Sequence, residues 1–314
     1  MNIQGKAFLS PIHEYTDSAF RLLCSKHGCN YTSYPILNAF AVSHSHTKLE
    51  SIDVSSEEKN LAIQLCGNNP EDFEVAGTMI LNQLPNVIRL DINSGCPSTN
   101  TREAGGGSAL LDKPETLKEI IKKLKQVGLP TSCKIRLCNS LEKTMQIVDV
   151  VSDQVDFMTV HGRTVKQGYS GFSEWNTIKQ IKERISIPLV GNGDVKSKAH
   201  GMQLISEGYC DAFMIAREAM SNPLVFENIF LKTYEEELKI FNEYFEMVRG
   251  KRGETVQNLK YKALMMFRGF EGCNQVRLKI SKIKTIEEFE ELATMQPVNP
   301  EKQNIKEQIK IPIN

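Results

Sequence analysis

Apolar and polar positions along this 314-residue chain fall into two alternating kinds of segment. Short apolar runs ending in Gly, Pro, Asn or Asp recur at intervals, each followed by a longer amphipathic stretch that opens with helix-start residues. A short apolar run closed by turn residues marks a buried strand, and the stretch after it has the spacing of a helix that buries one face. Eight runs can be counted: KAFLSPI, YTSYPI, LAIQLCG, VIRLDINSG, TSCKIRL, FMTVHGR, PLVGNGD and AFMIAR. Between them lie DSAFRLLCSKHG, NPEDFEVAGTMILNQL, KPETLKEIIKKLKQVG and WNTIKQIKERI, several opening with Pro, Asp or Asn and closing with Gly, as helix capping requires. Eight alternating units between residue 6 and about residue 225 predict an α/β chain built as a (β/α)8 TIM barrel. A doubly wound open sheet is the alternative; it would carry a glycine fingerprint after its first strand, and LSPIHEYTD has none.

Beyond Phe226 the strand pattern stops. IFLKTYEEELKIFNEYFEMVRG, QNLKYKALMMFRGF and TIEEFEELATM have helical spacing, which predicts a smaller all-α helical domain over residues 231–314 after a barrel over residues 1–230. The tail EKQNIKEQIKIPIN shows no clear period and is left unassigned.

Charge changes this picture only locally. With 38 basic and 38 acidic residues the chain is neutral, so no whole-chain field favours nucleic acid or membrane. From Arg249 to Lys284, however, ten basic residues face two acidic ones, a net of +8, and everything outside that window nets −8. Such a run is commonly a solvated helix face; a docking surface for a polyanion is the sharper reading. No apolar run approaches the roughly 20 residues of a membrane span. MNIQGKAFLS lacks a basic segment followed by an apolar one, so a cytoplasmic protein is expected. The eight cysteines are expected to be reduced thiols, and Cys24 with Cys29 or Cys133 with Cys138 do not form the CxxC spacing of metal sites. No metal site is expected, and His44 with His46 are read as a solvated loop.

In a barrel the C-terminal strand ends surround one mouth. Here those ends carry Gln64, Asn93, Cys96, Lys134, Arg136, His161, Arg163, Asn192, Asp194 and Arg217. Buried amide and charged groups are costly unless partnered, so this ring implies a polar ligand. GNGDV and AREAM close strands seven and eight, where barrels often hold phosphate through backbone N–H groups. Lys134, on another part of the ring, suits an anionic reduced flavin. A flavin mononucleotide and a sugar phosphate both fit these features.

The motifs taken together resemble the tRNA-dihydrouridine synthases. In order, the resemblance rests on LSPIHEYTDSAFRLLCSKHG, AIQLCGNNP, LDINSGCPS with GGGSALL, CKIRL, MTVHGRTVKQGYSG, IPLVGNGDV, MIAREAMSNPLVF and CNQVRLKISKIKTIEEF. It implies FMN-dependent reduction of a uridine in tRNA to 5,6-dihydrouridine, with NADPH as reductant, hydride passing to uracil C6 and a proton from Cys96 to C5. An ordinary thiol titrates near about 8.5 and is mostly protonated at neutral pH, which is the form an acid needs. The resemblance also implies FMN contacts from Pro11, Ile12, Gln64, Lys134, His161, Asn192, Gly193, Asp194, Ala216 and Arg217. Asn93, Arg136 and Tyr169 would meet the uridine, and Arg277, Lys279 and Lys282 would meet tRNA on a helical docking module. No protein partner is implied, and a monomer is expected.

Several positions depart from the family pattern. Ile12 and Ser94 replace methionines, Tyr34-Pro35-Ile36 replaces Thr-Glu-Met, and the loop STNTREAGGG lacks lysines common in relatives. Ala216 replaces a glycine; were positive φ required there, alanine would weaken phosphate binding. A flavoprotein acting on a free pyrimidine, or a non-catalytic RNA-binding protein, are the competing readings.

Overall fold

The computed structural model describes residues 1–229, 233–251 and 254–294, without the side chains of residues 293 and 294. Each apolar run becomes a strand: β1 Ala7–Leu9, β2 Thr32–Asn38, β3 Leu61–Cys66, β4 Val87–Ser94, β5 Thr131–Leu137, β6 Phe157–Thr164, β7 Leu189–Asn192 and β8 Ala212–Ile215. They pair in parallel in chain order, β1 lies beside β8, and a parallel bridge from Phe8 to Tyr31 joins β1 to the start of β2. The result is an eight-stranded parallel barrel.

Helices follow the strands as the polar pattern predicts. Ser18–Lys26, Pro70–Gln83, Pro114–Lys125 and Trp175–Arg184 fall on the four quoted stretches, and Leu141–Ser152 and Lys198–Ser206 continue the alternation. In Pro114–Lys125 the residues Leu117, Ile120, Ile121 and Leu124 are buried, one face at intervals of three and four, while the lysines stay outside. Asp17, Ser140 and Ser197 cap their helices by accepting a backbone N–H.

Alternation along each strand sorts the core into two layers. Outward residues such as Leu61, Ile63, Leu90, Ile92, Ile135 and Val160 pack under the helices. Inward residues Phe8, Phe157, Val190, Ala212 and Met214, with Ile3 and Tyr31, fill the lower barrel. Arg89 is buried among them, its guanidinium 5.6 Å from the Phe8 ring and 4.8 Å from the Phe157 ring, and donates to Ser132 Oγ at 2.8 Å. Arg89, Asp91 and Asn93 are alternate residues of β4, so a polar column climbs one wall of the barrel.

Two departures from the family pattern have structural accommodations. The register of β2 against β3 shifts between Tyr34 and Leu37, so Pro35 stands where the ladder is already interrupted. Ser94 is buried and accepts the Cys133 thiol at 3.6 Å.

The chain divides into two compact units, Met1–Phe230 and Leu231–Asn314. The second contains helices Tyr234–Val248, Val256–Met266, Cys273–Lys282 and Glu287–Thr294. Phe241 is the centre of its core, with the Phe245, Phe267 and Phe289 rings within 5.6–6.3 Å. Thr233 and Glu236 form a reciprocal capping box. Cys273–Lys282 forms a helix where the apolar period alone marks none. Arg252 and the unassigned tail lie outside the described residues. Among the described residues no helix is long and apolar enough to cross a membrane.

Candidate active site

The inward rows of β3 to β7 bring Gln64, Asn93, Lys134, Arg136, His161, Arg163 and Asn192 to one end of the barrel. Register places Asn93 beside Lys134, Arg136 beside His161, and His161 beside Asn192. All but Lys134, which is partly exposed, are buried.

Cys96 is positioned by an amide relay. Asn93 Oδ1 accepts the N–H of Gly95 at 3.1 Å and of Cys96 at 2.8 Å, turning the chain directly after β4. Its amide nitrogen donates to Gln64 Oε1 at 2.7 Å, and Gln64 Nε2 donates to Asp91 Oδ2 at 2.7 Å. One amide hydrogen of Asn93 remains for a ligand. The Cys96 thiol is partly exposed and donates to Thr101 Oγ1 at 3.8 Å. A strap of three glycines closes between this turn and the end of β3. A Cβ at Gly106 would stand 2.8 Å from Cys66 Sγ; one at Gly107, where φ is +58°, would stand 2.8 Å from the Cys96 carbonyl oxygen. Only glycine lets the strap approach this closely.

The rest of the mouth is cationic. Burial first, and then Arg136, push the Lys134 ammonium down to about 8, although Asp91 pulls it up. Among the described residues no carboxylate forms an ion pair with it. Burial and the cations of Lys134, Arg136, Arg163 and Arg217 depress His161 to about 2, so its ring is neutral near pH 7. Arg163 Nη1 approaches His161 Nε2 at 3.5 Å, which makes Nε2 the acceptor and leaves the ring proton on Nδ1. A neutral imidazole among four cations is a hydrogen-bonding group, not a source of charge.

On the β6–β8 side the GNGD segment makes a turn with two successive positive φ values, +119° at Gly193 and +54° at Asp194. A Cβ on Gly193 would overlap Ser173 Oγ. Asp194 receives Arg163 Nη2 at 2.7 Å on both oxygens, Arg217 Nη2 at 3.1 Å and the Ser173 N–H at 2.9 Å. Burial raises the Asp194 carboxyl, but Arg163 and the Ser173 amide outweigh it and hold the group below the usual carboxylate range. Asp194 is therefore a junction that binds the turn to Arg163 and Arg217. At Ala216 φ is −121°, so the position does not adopt the positive φ that would call for glycine. Gly193, Asp194, Ala216 and Arg217 line a cavity of about 410 Å³ with His161, Asn192 and Tyr169.

Asn192 also donates to the Met214 carbonyl at 2.9 Å, fixing β7 to β8. Pro11 and Ile12 follow β1 and are partly buried, the Ile12 N–H held by Thr16 Oγ1 at 3.1 Å. Tyr169 is exposed, its ring 5.5 Å from the Arg136 guanidinium and 5.3 Å from that of Arg217. Arg277, Lys279 and Lys282 lie on helix Cys273–Lys282 of the second unit, with both lysines exposed. His44 and His46 gather around Phe40, with ring centroids 4.2 and 5.6 Å away. Among the described residues no cluster of three or more metal-ligating side chains occurs. Thr101 and Ser173 carry no sequence signal, since each acts through a loop whose path the apolar pattern leaves open. Arg163 was visible as a strand end, but its partners were not.

A family model described as dihydrouridine synthase matches residues 8–310. The chain belongs to the dihydrouridine synthase family. The probable tRNA-dihydrouridine synthase of Aquifex aeolicus (strain VF5) is 35% identical over 230 residues, 71% of this chain and 72% of that protein. The tRNA-dihydrouridine synthase B of Shewanella oneidensis is 32% identical over 232 residues, 72% of this chain and 71% of the other. The probable tRNA-dihydrouridine synthase 1 of Synechocystis sp. is 27% identical over 313 residues, 93% of this chain and 86% of its own. Among solved structures, histamine dehydrogenase from Rhizobium sp. 4-9 matches with a TM-score of 0.53 at 14% identity, over 83% of this chain and 52% of that one. A 2-naphthoyl-CoA reductase matches with a TM-score of 0.54 at 9% identity, over 71% of this chain and 49% of the other. These two likenesses are of fold; the family rests on sequence.

Proposed function

We propose that this member of the dihydrouridine synthase family is a flavin-dependent oxidoreductase that reduces a uridine in tRNA to 5,6-dihydrouridine, using FMN with NADPH as the reductant. The observation that carries the chemistry is a cysteine whose backbone Asn93 holds at a mouth lined by Lys134, which among the described residues forms no ion pair with a carboxylate. A cation of that kind fits an anionic group supplied from outside, and the GNGD turn beside Ala216 offers backbone N–H groups to a phosphate. Gln64, Lys134, His161, Asn192 and Arg217, with Pro11 and Ile12 and the backbone of Gly193 and Ala216, would hold FMN; Asp194 would fix the turn. When bound, FMN supplies the hydride that uracil accepts at C6.

The chain's own part is binding, orientation and one proton. The target base must leave its stack to lie flat in the mouth. The remaining Asn93 amide hydrogen and the Arg136 guanidinium can donate to uracil oxygens, with Tyr169 at the side. As C6 gains hydride, electron density collects on C5 and its carbonyl; the Cys96 S–H bond breaks and its proton goes to C5. One hydride and one proton saturate the C5=C6 bond, leaving a thiolate that solvent reprotonates. Lys279 and Lys282 on the helical unit would bind tRNA phosphates, which position a duplex without reading its sequence.

Comparing NADPH oxidation with unmodified tRNA, uracil and orotate tests this reading; turnover with the free pyrimidine alone would sink it. The +8 segment motivates a second expectation: Lys279→Glu with Lys282→Glu weakens tRNA binding measured by filter retention while FMN content is unchanged. Unaltered affinity would remove the helix from docking.

Lys134 gives a third. A lysine whose folded pKa is lowered from 10.5 to about 8 binds fewer protons folded than unfolded between those values. Stability of the flavin-free protein should therefore rise from pH 8 to pH 10.5 by this group, its penalty being complete below pH 8. Lys134→Met should raise the melting temperature of the flavin-free protein at pH 7 and yet weaken FMN binding by about ten- to a hundred-fold, the loss of one charge-assisted contact. A lower melting temperature with unaltered flavin affinity would reverse the assignment.

A further inference from the structure

The loop after β6 is fixed from two sides by buried arginines. Arg163 donates to the Gly171 carbonyl at 2.7 Å, the Ser170 carbonyl at 3.3 Å and Ser173 Oγ at 2.9 Å. Arg136 donates to the Gly168 carbonyl at 2.8 Å and the Thr164 carbonyl at 3.3 Å. Downstream, the Ser173 N–H meets Asp194, the Glu174 N–H meets the Gly162 carbonyl at 2.7 Å, and the Trp175 indole N–H meets the Gly193 carbonyl at 3.1 Å. The path of the loop is thus set by these contacts to the barrel, none of which involves the Phe172 side chain.

On this fixed path two aromatic rings point into solvent. Tyr169 is 63% exposed and Phe172 85%, the highest value for a large hydrophobic side chain among the described residues. A lone exposed ring is ordinary. These two, however, line the same cavity as Arg217 and Lys196, and Tyr169 has a guanidinium within 5.5 Å from both Arg136 and Arg217. Phe172 has no ring or cation against it among the described residues. Aromatic rings interleaved with guanidinium groups are how proteins hold unstacked nucleotides: rings take base faces and cations take phosphates.

We propose that Phe172 is a stacking platform for the nucleobase next to the target uridine. The inference rests on the tRNA reading and deepens it. When the target uridine leaves its stack, its neighbour loses a partner face, and the Phe172 ring can supply one. Because the backbone at 171–173 is already fixed, little ordering accompanies the contact. The ring carries no charge, so its share of the affinity does not depend on counterion release.

The test uses the flavin-loaded enzyme and unmodified tRNA, with affinity measured across a salt series. Phe172→Ala should weaken binding by about five- to thirty-fold at every salt concentration, leaving the slope of log affinity against log salt unchanged. Phe172→Trp should restore the affinity, and flavin content and melting temperature should not move. Affinity equal to wild type overturns the inference alone, as does slower flavin reduction by NADPH with tRNA affinity intact, which would give the ring to the nicotinamide. Wild-type protein that binds no tRNA overturns both the inference and the tRNA reading.

Discussion

Cys96→Ala should lower dihydrouridine formation in a single turnover by about 10²- to 10⁴-fold, the range lost with a positioned general acid. Flavin content, flavin reduction by NADPH and tRNA affinity should stay near wild type. The geometry gives the reason for this separation. The Cys96 backbone is held by Asn93 Oδ1 and its carbonyl accepts the Ser108 N–H at 3.0 Å, contacts that alanine keeps. Only the Sγ atom and its 3.8 Å contact to Thr101 are lost. A substrate carbon that has accepted hydride then finds no nearby proton, and protonation falls to water. Quenched-flow assay of pre-reduced enzyme with unmodified tRNA reads the step, and a variant with near-normal turnover would remove Cys96 from the acid role.

Arg21→Met should destabilise the barrel unit by about 3–5 kcal/mol, the cost of leaving one member of a buried ion pair without its partner. Arg21 and Glu58 have side-chain exposures of 0% and 2%, and Arg21 Nε and Nη2 donate to the two Glu58 oxygens at 2.6 and 2.8 Å. The same guanidinium donates to the carbonyls of Thr16 at 2.6 Å and Asp53 at 2.7 Å. It therefore ties the loop after β1, which carries Pro11 and Ile12, to the segment before β3. For a unit of this size the loss corresponds to a melting temperature lower by about 6–20 °C. Arg21→Met combined with Glu58→Leu should recover much of the loss, because the uncompensated carboxylate and not the missing attraction is the main cost. A double variant as unstable as the sum of the single ones would contradict that cause.

The barrel was readable because strand and helix patterns differ in period and alternate eight times. The ring of polar residues was readable because each stands at the end of an apolar run, where a buried charge has no structural excuse. What those residues do to one another was less readable. Asp194 carries the turn through Arg163 and Arg217, and Asn93 carries Cys96 as well as facing the mouth; such divisions of labour depend on side-chain directions that no spacing encodes. Ala216 shows the reverse case: the sequence raised the question of a positive φ there, and the angle of −121° answers it. The helix Cys273–Lys282 escaped the apolar period because only Val276 and Ile280 are buried on it, too few to make a stripe. Phe172 had no signal at all, since an exposed ring is significant only beside a fixed loop and a cationic cavity.

Mass spectrometry of a defined, unmodified tRNA incubated with the flavin-loaded protein and NADPH tests uridine reduction most directly. A gain of two hydrogen masses at one mapped uridine, absent with Cys96→Ala, is the predicted result. An unchanged tRNA under conditions where the protein reduces a free pyrimidine would contradict it.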